Sequence, residues 1–214
     1  MTNIQPPLAI KNFVDPGQCA RLIEKLDTLI AAPEGLGRYM VRYTARVELV
    51  HVRTVGTDFY DEIALIRDRC LARVMEEWPE AGELYVNLTL LSANYTGDSH
   101  VRHSDSERFD PEAKEWVGNH TPFRFATSLV YLNTCDRDYS GGEIAFPVLN
   151  QVIKPEAGLF VAFKCTHEWE HEVFTVTEGT RYVLALWYSQ DPKRQEPLPP
   201  PPPWAATLPA SEPT

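Results

Sequence analysis

The stretch HEVFTVTEGTRYVLALWYSQDP, residues 171–192, decides how the rest of the chain is read. Two β-rich runs, HEVFTV and RYVLALWYS, flank Glu178-Gly179-Thr180, which reads as a hairpin loop. His171 and Arg181 stand ten residues apart. If both face one interior, the two-residue period of a strand demands a loop of three or five residues unless a bulge intervenes. The two side chains then lie ~13 to 20 Å apart along the strands at ~3.3 Å per residue. An imidazole, a metal, a five-carbon dicarboxylate and an extended arginine together span that gap, and a guanidinium grips a carboxylate bidentately. Without His171, Arg181 would read as a strand-end surface charge.

Upstream, the same texture recurs from Leu84 onward in LYVNLTLLSANY, FRFATSLVYLN, GEIAFPVL and GLFVAFK, short β-rich runs separated by turn residues. Strands this short with no helical pattern between them predict an antiparallel barrel or jelly roll. Two helices precede them. Asp15-Pro16-Gly17-Gln18 reads as a helix start, with Asp as N-cap and Pro at the first helical position. Leu22, Ile23, Leu26, Leu29 and Ile30 then form one apolar face, ended by Pro33 and Gly35. After a polar, β-rich stretch from Tyr39 to Arg53, a second pattern over about 58–78 places Ile63, Ile66, Cys70, Val74 and Trp78 on one face before Pro79.

The expected fold is mainly β with N-terminal helices and a double-stranded β-helix (jelly roll) core. Residues 1–83 form an N-terminal strand and helices packing on the core, 84–192 the core, and 193–214 a proline-rich tail. Nine of the eighteen prolines follow Asp191, including the run Pro199 to Pro203, which cannot pair in a sheet. The tail reads as an extended polyproline II segment: a solvated terminus, with Trp204 docking on the body, or a ligand for an SH3- or WW-type partner.

Composition excludes several functions. With 43% hydrophobic and 23% charged residues, the 214-residue chain is ordinary globular material. No run reaches the ~18 apolar residues of a membrane span, and the opening residues lack the basic and apolar regions of a secretory signal. A formal charge of -10 is the wrong sign for a phosphate backbone, so nucleic acid is not an expected partner. Cys19, Cys70, Cys135 and Cys165 form no C-x-x-C pair and read as free thiols in a reducing compartment. The expected location is cytoplasmic.

His103-Ser104-Asp105 is an H-x-D, and on a strand residues i and i+2 share a face, so imidazole and carboxylate can converge on one metal. Alone the motif is weak, because chance supplies it readily and a solvated loop explains it. Its position, just past a β-run ending Ala93-Asn94-Tyr95 and 68 residues before His171, raises the signal. Two histidines and a carboxylate form the facial triad of non-haem Fe(II) oxygenases, leaving three metal positions open.

At this point the chain resembles a family. HSDSERFDPEAKEW at 103–116, SLVYLN at 128–133, SGGEIAF at 140–146, IKPEAGLFVAF at 153–163 and the stretch quoted first resemble, in order and spacing, the prolyl-hydroxylase branch of the Fe(II)/2-oxoglutarate oxygenases. The likeness is strongest to the catalytic domain of leprecan-type prolyl 3-hydroxylases. It covers roughly half the chain, from about Leu91 to Lys193. It implies that His103, Asp105 and His171 hold Fe(II), that Arg181 binds the distal carboxylate of 2-oxoglutarate, and that Tyr95 touches this cosubstrate. Tyr95 otherwise reads as a buried strand aromatic. The resemblance further implies O2 as a reactant, ascorbate as an accessory, and hydroxylation of a prolyl residue, free amino acid or peptide-like substrate. Asp105 keeps a position that halogenases of this chemistry vacate for chloride, so hydroxylation is the default outcome. Unlike those relatives, the sequence shows no long N-terminal region, secretory leader or C-terminal retention tetrapeptide. That predicts a bacterial or cytosolic enzyme with a substrate other than secreted collagen.

Two rival readings use the same residues: a zinc hydrolase built on the His/Asp/His set, and a non-catalytic ligand-binding barrel that recruits partners through its tail. The remaining candidates are weaker. His100, at odd spacing from His103, is expected to face away from the metal. His167 reads as a loop or substrate-rim residue, and His51 and His120 as surface residues. Gly141-Gly142 marks a tight turn or close backbone approach, and Asp136 and Asp138 a solvated loop. Arg124 is either a surface charge or an anion-binding arm.

Overall fold

The computed structural model describes residues 4–31, 38–41, 43–49 and 57–197. Among the described residues three strands and two helices come first: β1 (Leu8–Ile10), α1 (Pro16–Ala31), β2 (Arg38–Val41), β3 (Thr44–Glu48) and α2 (Thr57–Glu77). Then follow β4 (Tyr85–Tyr95), β5 (His100–His103), β6 (Glu107–Asp110), β7 (Glu115–Gly118), β8 (Arg124–Tyr131) and β9 (Tyr139–Gly141). The chain continues through β10 (Ile144–Phe146), β11 (Gln151–Ile153), β12 (Phe160–Lys164), β13 (His171–Val173) and β14 (Val176–Ser189). All strand pairings are antiparallel. A major sheet runs β1-β12-β8-β14-β4-β3-β2, with β9 attached to β14, and a minor sheet runs β11-β10-β13-β5. Strands β6 and β7 form a separate hairpin.

The helices form where the sequence places them. Asp15 caps α1, its Oδ1 accepting from the Gln18 amide at 3.1 Å. Cys19, Leu22, Leu26 and Leu29 are buried on the inner face of α1, and Ile63, Ile66, Cys70 and Val74 on that of α2. Both faces pack on one side of the major sheet against Leu91, Val130, Leu184, Leu186 and Tyr188. The opposite side of that sheet meets the minor sheet through Tyr131, Val161, Phe163, Val183 and Ala185 facing Ile144, Phe146 and Val173. The layers are therefore helices, major sheet, minor sheet, and alternation along each strand assigns its residues to one core or the other.

One expectation needs correction. Glu178-Gly179-Thr180 is not a hairpin loop but part of β14, whose first residues pair with β9 and the rest with β4 and β8. Gly179, at φ +75°, and a register shift between Val176 and Glu178 let the strand bend there without ending. The chain crosses between sheets earlier, after Val173, so His171 and Arg181 lie on different sheets. The N-terminal segment also does more than pack on a core, because β1 pairs with β12 and β3 with β4, extending the major sheet at both edges.

Residues just after the last strand are docked. Asn87 donates to the Arg194 carbonyl, and the Glu196 amide donates to the Val86 carbonyl. The Glu196 carboxylate accepts from the Thr89 amide, the Thr89 hydroxyl and Arg67 Nε at 2.6 to 2.8 Å. The proline run and Trp204 lie outside the described residues, as does His51. Removing one partner of a buried pair leaves the other charge uncompensated. Glu196→Ala is therefore expected to lower the unfolding free energy by about 3 kcal/mol, read as a shifted urea midpoint at unchanged m-value.

Candidate active site

His171 on β13 and His103 on β5 are register partners, and their ring centroids are 4.4 Å apart. Asp105 follows the end of β5 in a bend, so the H-x-D does not lie on one strand as its spacing suggests. The bend nevertheless turns the Asp105 carboxylate inward, 3.6 Å from His103 Nε2. One ligand atom from each of His103, Asp105 and His171 falls within 4.8 Å of the others, and among the described residues no other such group occurs.

The outer hydrogen bonds of this trio orient it. His103 Nδ1 lies 2.7 Å from the Val101 carbonyl and His171 Nδ1 3.2 Å from the Trp169 carbonyl. Each ring donating from Nδ1 leaves its Nε2 lone pair for a metal. Asp105 Oδ2 accepts from the Thr127 hydroxyl at 2.5 Å and from the Trp187 indole at 3.2 Å, leaving Oδ1 on the site side. Burial raises the Asp105 pKa, but the His103 hydrogen bond, the His171 charge and the Thr127 hydroxyl outweigh it, holding the group an anion far below the usual carboxylate range. Burial pushes His171 down to about 4. These are the protonation states a divalent cation needs.

The trio opens into a cavity of about 190 Å³ between the sheets, lined among others by Leu129, Ile144, Phe163 and Val173. Arg181 also lines it and is 2% exposed. Its Nη1 donates to Asn94 Oδ1 at 2.9 Å, and its guanidinium sits 5.2 Å from the centre of the Tyr131 ring. The Arg181 Nε and the hydroxyls of Tyr131 and Tyr139 have no hydrogen-bond partner. Among the described residues no carboxylate pairs with this buried cation. Such an arrangement is costly unless an anion completes it. Gly142, at φ +70°, makes room for the arm: a Cβ there would fall 2.9 Å from Arg181 Cδ. Gly141 is held as closely, since a Cβ would meet the Thr175 carbonyl oxygen at 2.1 Å. The pair thus provides the close backbone approach that the sequence suggests.

Several candidates settle differently from their sequence reading. Tyr95 does not line the cavity. Leu90, Ser92 and Asn94 do, and strand alternation turns Tyr95 to the opposite face beside Tyr182. Asn94, next to it in sequence, is the residue that reaches Arg181. His100 does line the cavity, contrary to the parity argument. Two residues of β5, Val101 and Arg102, oppose one of β13, Glu172, between the His171–His103 and Val173–His100 pairs, and this bulge resets the alternation. His167 sits in a one-turn 3-10 helix, His167–Trp169, stacked on Trp116 at 4.9 Å and bonded to Glu107. Arg124 is neither a bare surface charge nor an arm into the cavity: its guanidinium covers the Trp187 ring at 4.6 Å. His120 is exposed, and Asp136 and Asp138 pair with Lys154 and Arg137.

Comparison with known proteins adds to this geometry. Residues 90–189 match the model of the 2OG-Fe(II) oxygenase superfamily. Over those residues, just under half of its length, the chain is similar to that superfamily. Prolyl 3-hydroxylase 2 of Gallus gallus is 37% identical over 105 residues, and the human protein of the same name 36%. These matches cover 46% of this chain but only 14 to 15% of the relatives. The crystal structure of a viral collagen prolyl hydroxylase from Paramecium Bursaria Chlorella virus-1, in complex with 2OG, superposes with a TM-score of 0.63 at 19% identity, covering 86% of this chain and 96% of that one. A Pseudomonas putida prolyl-4-hydroxylase gives 0.63 at 17% identity over 86% and 92%. Both likenesses bear on the fold, the double-stranded β-helix of this superfamily. The residues present fit its cofactors: a two-histidine, one-carboxylate donor set faces one part of the cavity, and an unpaired buried guanidinium faces another.

Two outcomes are expected. Thr127→Val removes a donor that orients Asp105, and Mn(II) affinity should fall ~10- to 100-fold, measured by titration. Burial lowers the His103 pKa, but the hydrogen bond and charge of Asp105, the Val101 carbonyl and the Glu170 charge together outweigh it, so that it ends above the ordinary imidazole value. Mn(II) binding should therefore weaken as pH falls through that pKa, with the proton release per ion rising toward one below it.

Proposed function

We propose that this chain is an Fe(II)- and 2-oxoglutarate-dependent dioxygenase that hydroxylates a prolyl residue, a free amino acid or a peptide-like substrate. The observation that carries the reading is one cavity with a His/Asp/His donor set and a buried arginine that lacks an anion. His103 Nε2, Asp105 Oδ1 and His171 Nε2 would hold the metal and leave three positions for ligands. Bound iron supplies the activation of dioxygen, with 2-oxoglutarate as the co-oxidised reductant.

The chain's own residues do the rest. Arg181 holds the far carboxylate of 2-oxoglutarate through charge-assisted bonds, and Asn94 fixes the guanidinium from behind. Leu129, Phe163, Val173 and Ala185 surround the path between arginine and metal with apolar surface, so water competes poorly for those bonds. Ascorbate serves as an accessory reductant in the same reading. A zinc hydrolase would use the donor set equally well but leaves the buried Arg181 without a purpose. The prolyl 3-hydroxylase relatives favour a proline ring as the oxidised group. Four buried free thiols support a reducing, cytoplasmic location, and the proline-rich tail is proposed as a separate partner-binding segment.

Replacing Arg181 with Ala would leave a bound carboxylate buried without its partner. The 2-oxoglutarate dissociation constant, measured on Mn(II)-loaded protein to prevent turnover, should rise at least ~100-fold while Mn(II) affinity stays unchanged. His103→Ala and His171→Ala should abolish succinate formation with the β-core still folded by circular dichroism. Agreement of the wild-type and Arg181→Ala dissociation constants within about threefold, against the hundredfold expected, would reopen the zinc reading.

A further inference from the structure

A second arginine looks into the same cavity. Arg46 lies on β3, in register with Ser92 of β4 and through it with Val183 of β14. Its Nε is buried with no hydrogen-bond partner, and among the described residues no carboxylate is within ion-pair distance. Arg46 also lines an outer groove with Val41, Asp98, Ser99, His100 and His103, so it stands where that groove meets the metal-site cavity. The one acid of the groove is already committed: Asp98 Oδ2 accepts from Asn94 at 2.7 Å and lies 3.7 Å from His100 Nε2.

Charge counting makes Arg46 conspicuous. A 2-oxoglutarate dianion has one carboxylate for the metal end and one for Arg181. Ferrous iron, the Asp105 carboxylate, the Arg181 guanidinium and that dianion together sum to no net charge. Arg46 stands outside that sum, a partly buried cation in a low-dielectric pocket whose Nε has no hydrogen-bond partner, while Asp98, the one acid of the groove, spends its Oδ2 on Asn94. Two strands across and two residues along the major sheet, its Cα is about 12 Å from that of Arg181, which sets it beside the cosubstrate path rather than at the far end.

We propose that Arg46 binds a carboxylate of the substrate itself. The substrate class is then a free α-amino acid, or the C-terminal residue of a peptide, rather than an internal residue whose carbonyl is a neutral amide. A planar guanidinium distinguishes the two, because it pairs bidentately with a carboxylate and only singly with an amide oxygen. This inference rests on the oxygenase reading above and narrows its substrate.

The test uses the full chain loaded with Mn(II) and saturating 2-oxoglutarate, titrated calorimetrically. The probes are the free protein L-amino acids, the peptide Gly-Pro with a free C-terminus, and the C-amides of whichever of these bind. The expected result is binding by at least one carboxylate form, at least ~30-fold weaker binding of its amide, and a similar loss in Arg46→Ala. Arg46→Lys should recover part of it, while the 2-oxoglutarate dissociation constant in Arg46→Ala stays within about threefold. Binding of the free amino acid identifies the first source, and of the peptide alone the second. The proposal is overturned if amides bind as tightly as carboxylates or if none of these probes binds. It also falls if Arg46→Ala weakens 2-oxoglutarate as Arg181→Ala does, since Arg46 would then be a cosubstrate residue. Failure of the oxygenase reading is separable, because the wild type would then not bind 2-oxoglutarate at all.

Discussion

The two-sided alternation of β14 is the constraint on which the rest of the molecule depends. Leu184, Leu186 and Tyr188 enter the core beneath the helices, while Arg181, Val183, Ala185 and Trp187 face the minor sheet. A shift of one residue would move every one of these to the wrong side. Neighbours on both flanks hold the register, with β4 pairing over Thr180 to Ser189 and β8 over Val183 to Ser189. The apolar face of this strand anchors the fold, and the same pairing delivers a guanidinium, two small aliphatic walls and an indole to the cavity. Stability and site geometry are thus fixed by the same backbone hydrogen bonds.

The cavity works by separating its charges. Asp105 is kept anionic among Thr127, Trp187 and the histidines, whereas the Arg181 guanidinium is held by the neutral amide of Asn94 beside the Tyr131 ring. In a medium of reduced dielectric an unpaired ion is expensive, and expense of this kind is tolerated where a ligand removes it. Asn94 is the link between parts, since it also donates to Asp98 and Thr44 and so ties Arg181 to the groove wall where His100 sits. Strands β3 and β4 thereby connect the cosubstrate end of the cavity to its mouth.

The segments outside the superfamily match are structural partners of the domain. Strand β1 closes one edge of the major sheet on β12, β3 continues the other edge, and Glu196 locks the chain after β14 to Arg67 of α2 and Thr89 of β4. Arg46, whose charge the cosubstrate does not match, comes from this N-terminal region. Residues 90–189 alone would lack that side of the groove.

Local chemistry made much of this visible without coordinates. The Asp15 cap, the apolar faces of both helices, the β-rich runs and the residue types of the His/Asp/His trio all follow from short-range periodicity and from donor sets that few other functions require. Tertiary pairing decided the rest. The bulge in β5 that turns His100 inward, the bend that brings Asp105 to His103, the uninterrupted course of β14 through Gly179, and the choice of Asn94 over Tyr95 beside Arg181 all depend on which strands meet and in what register. Arg46 gave no sequence signal, because an arginine in a polar β-rich stretch looks like any solvated charge until a second sheet covers it. A strand's sequence fixes which of its residues share a face, but only its neighbours determine what that face meets.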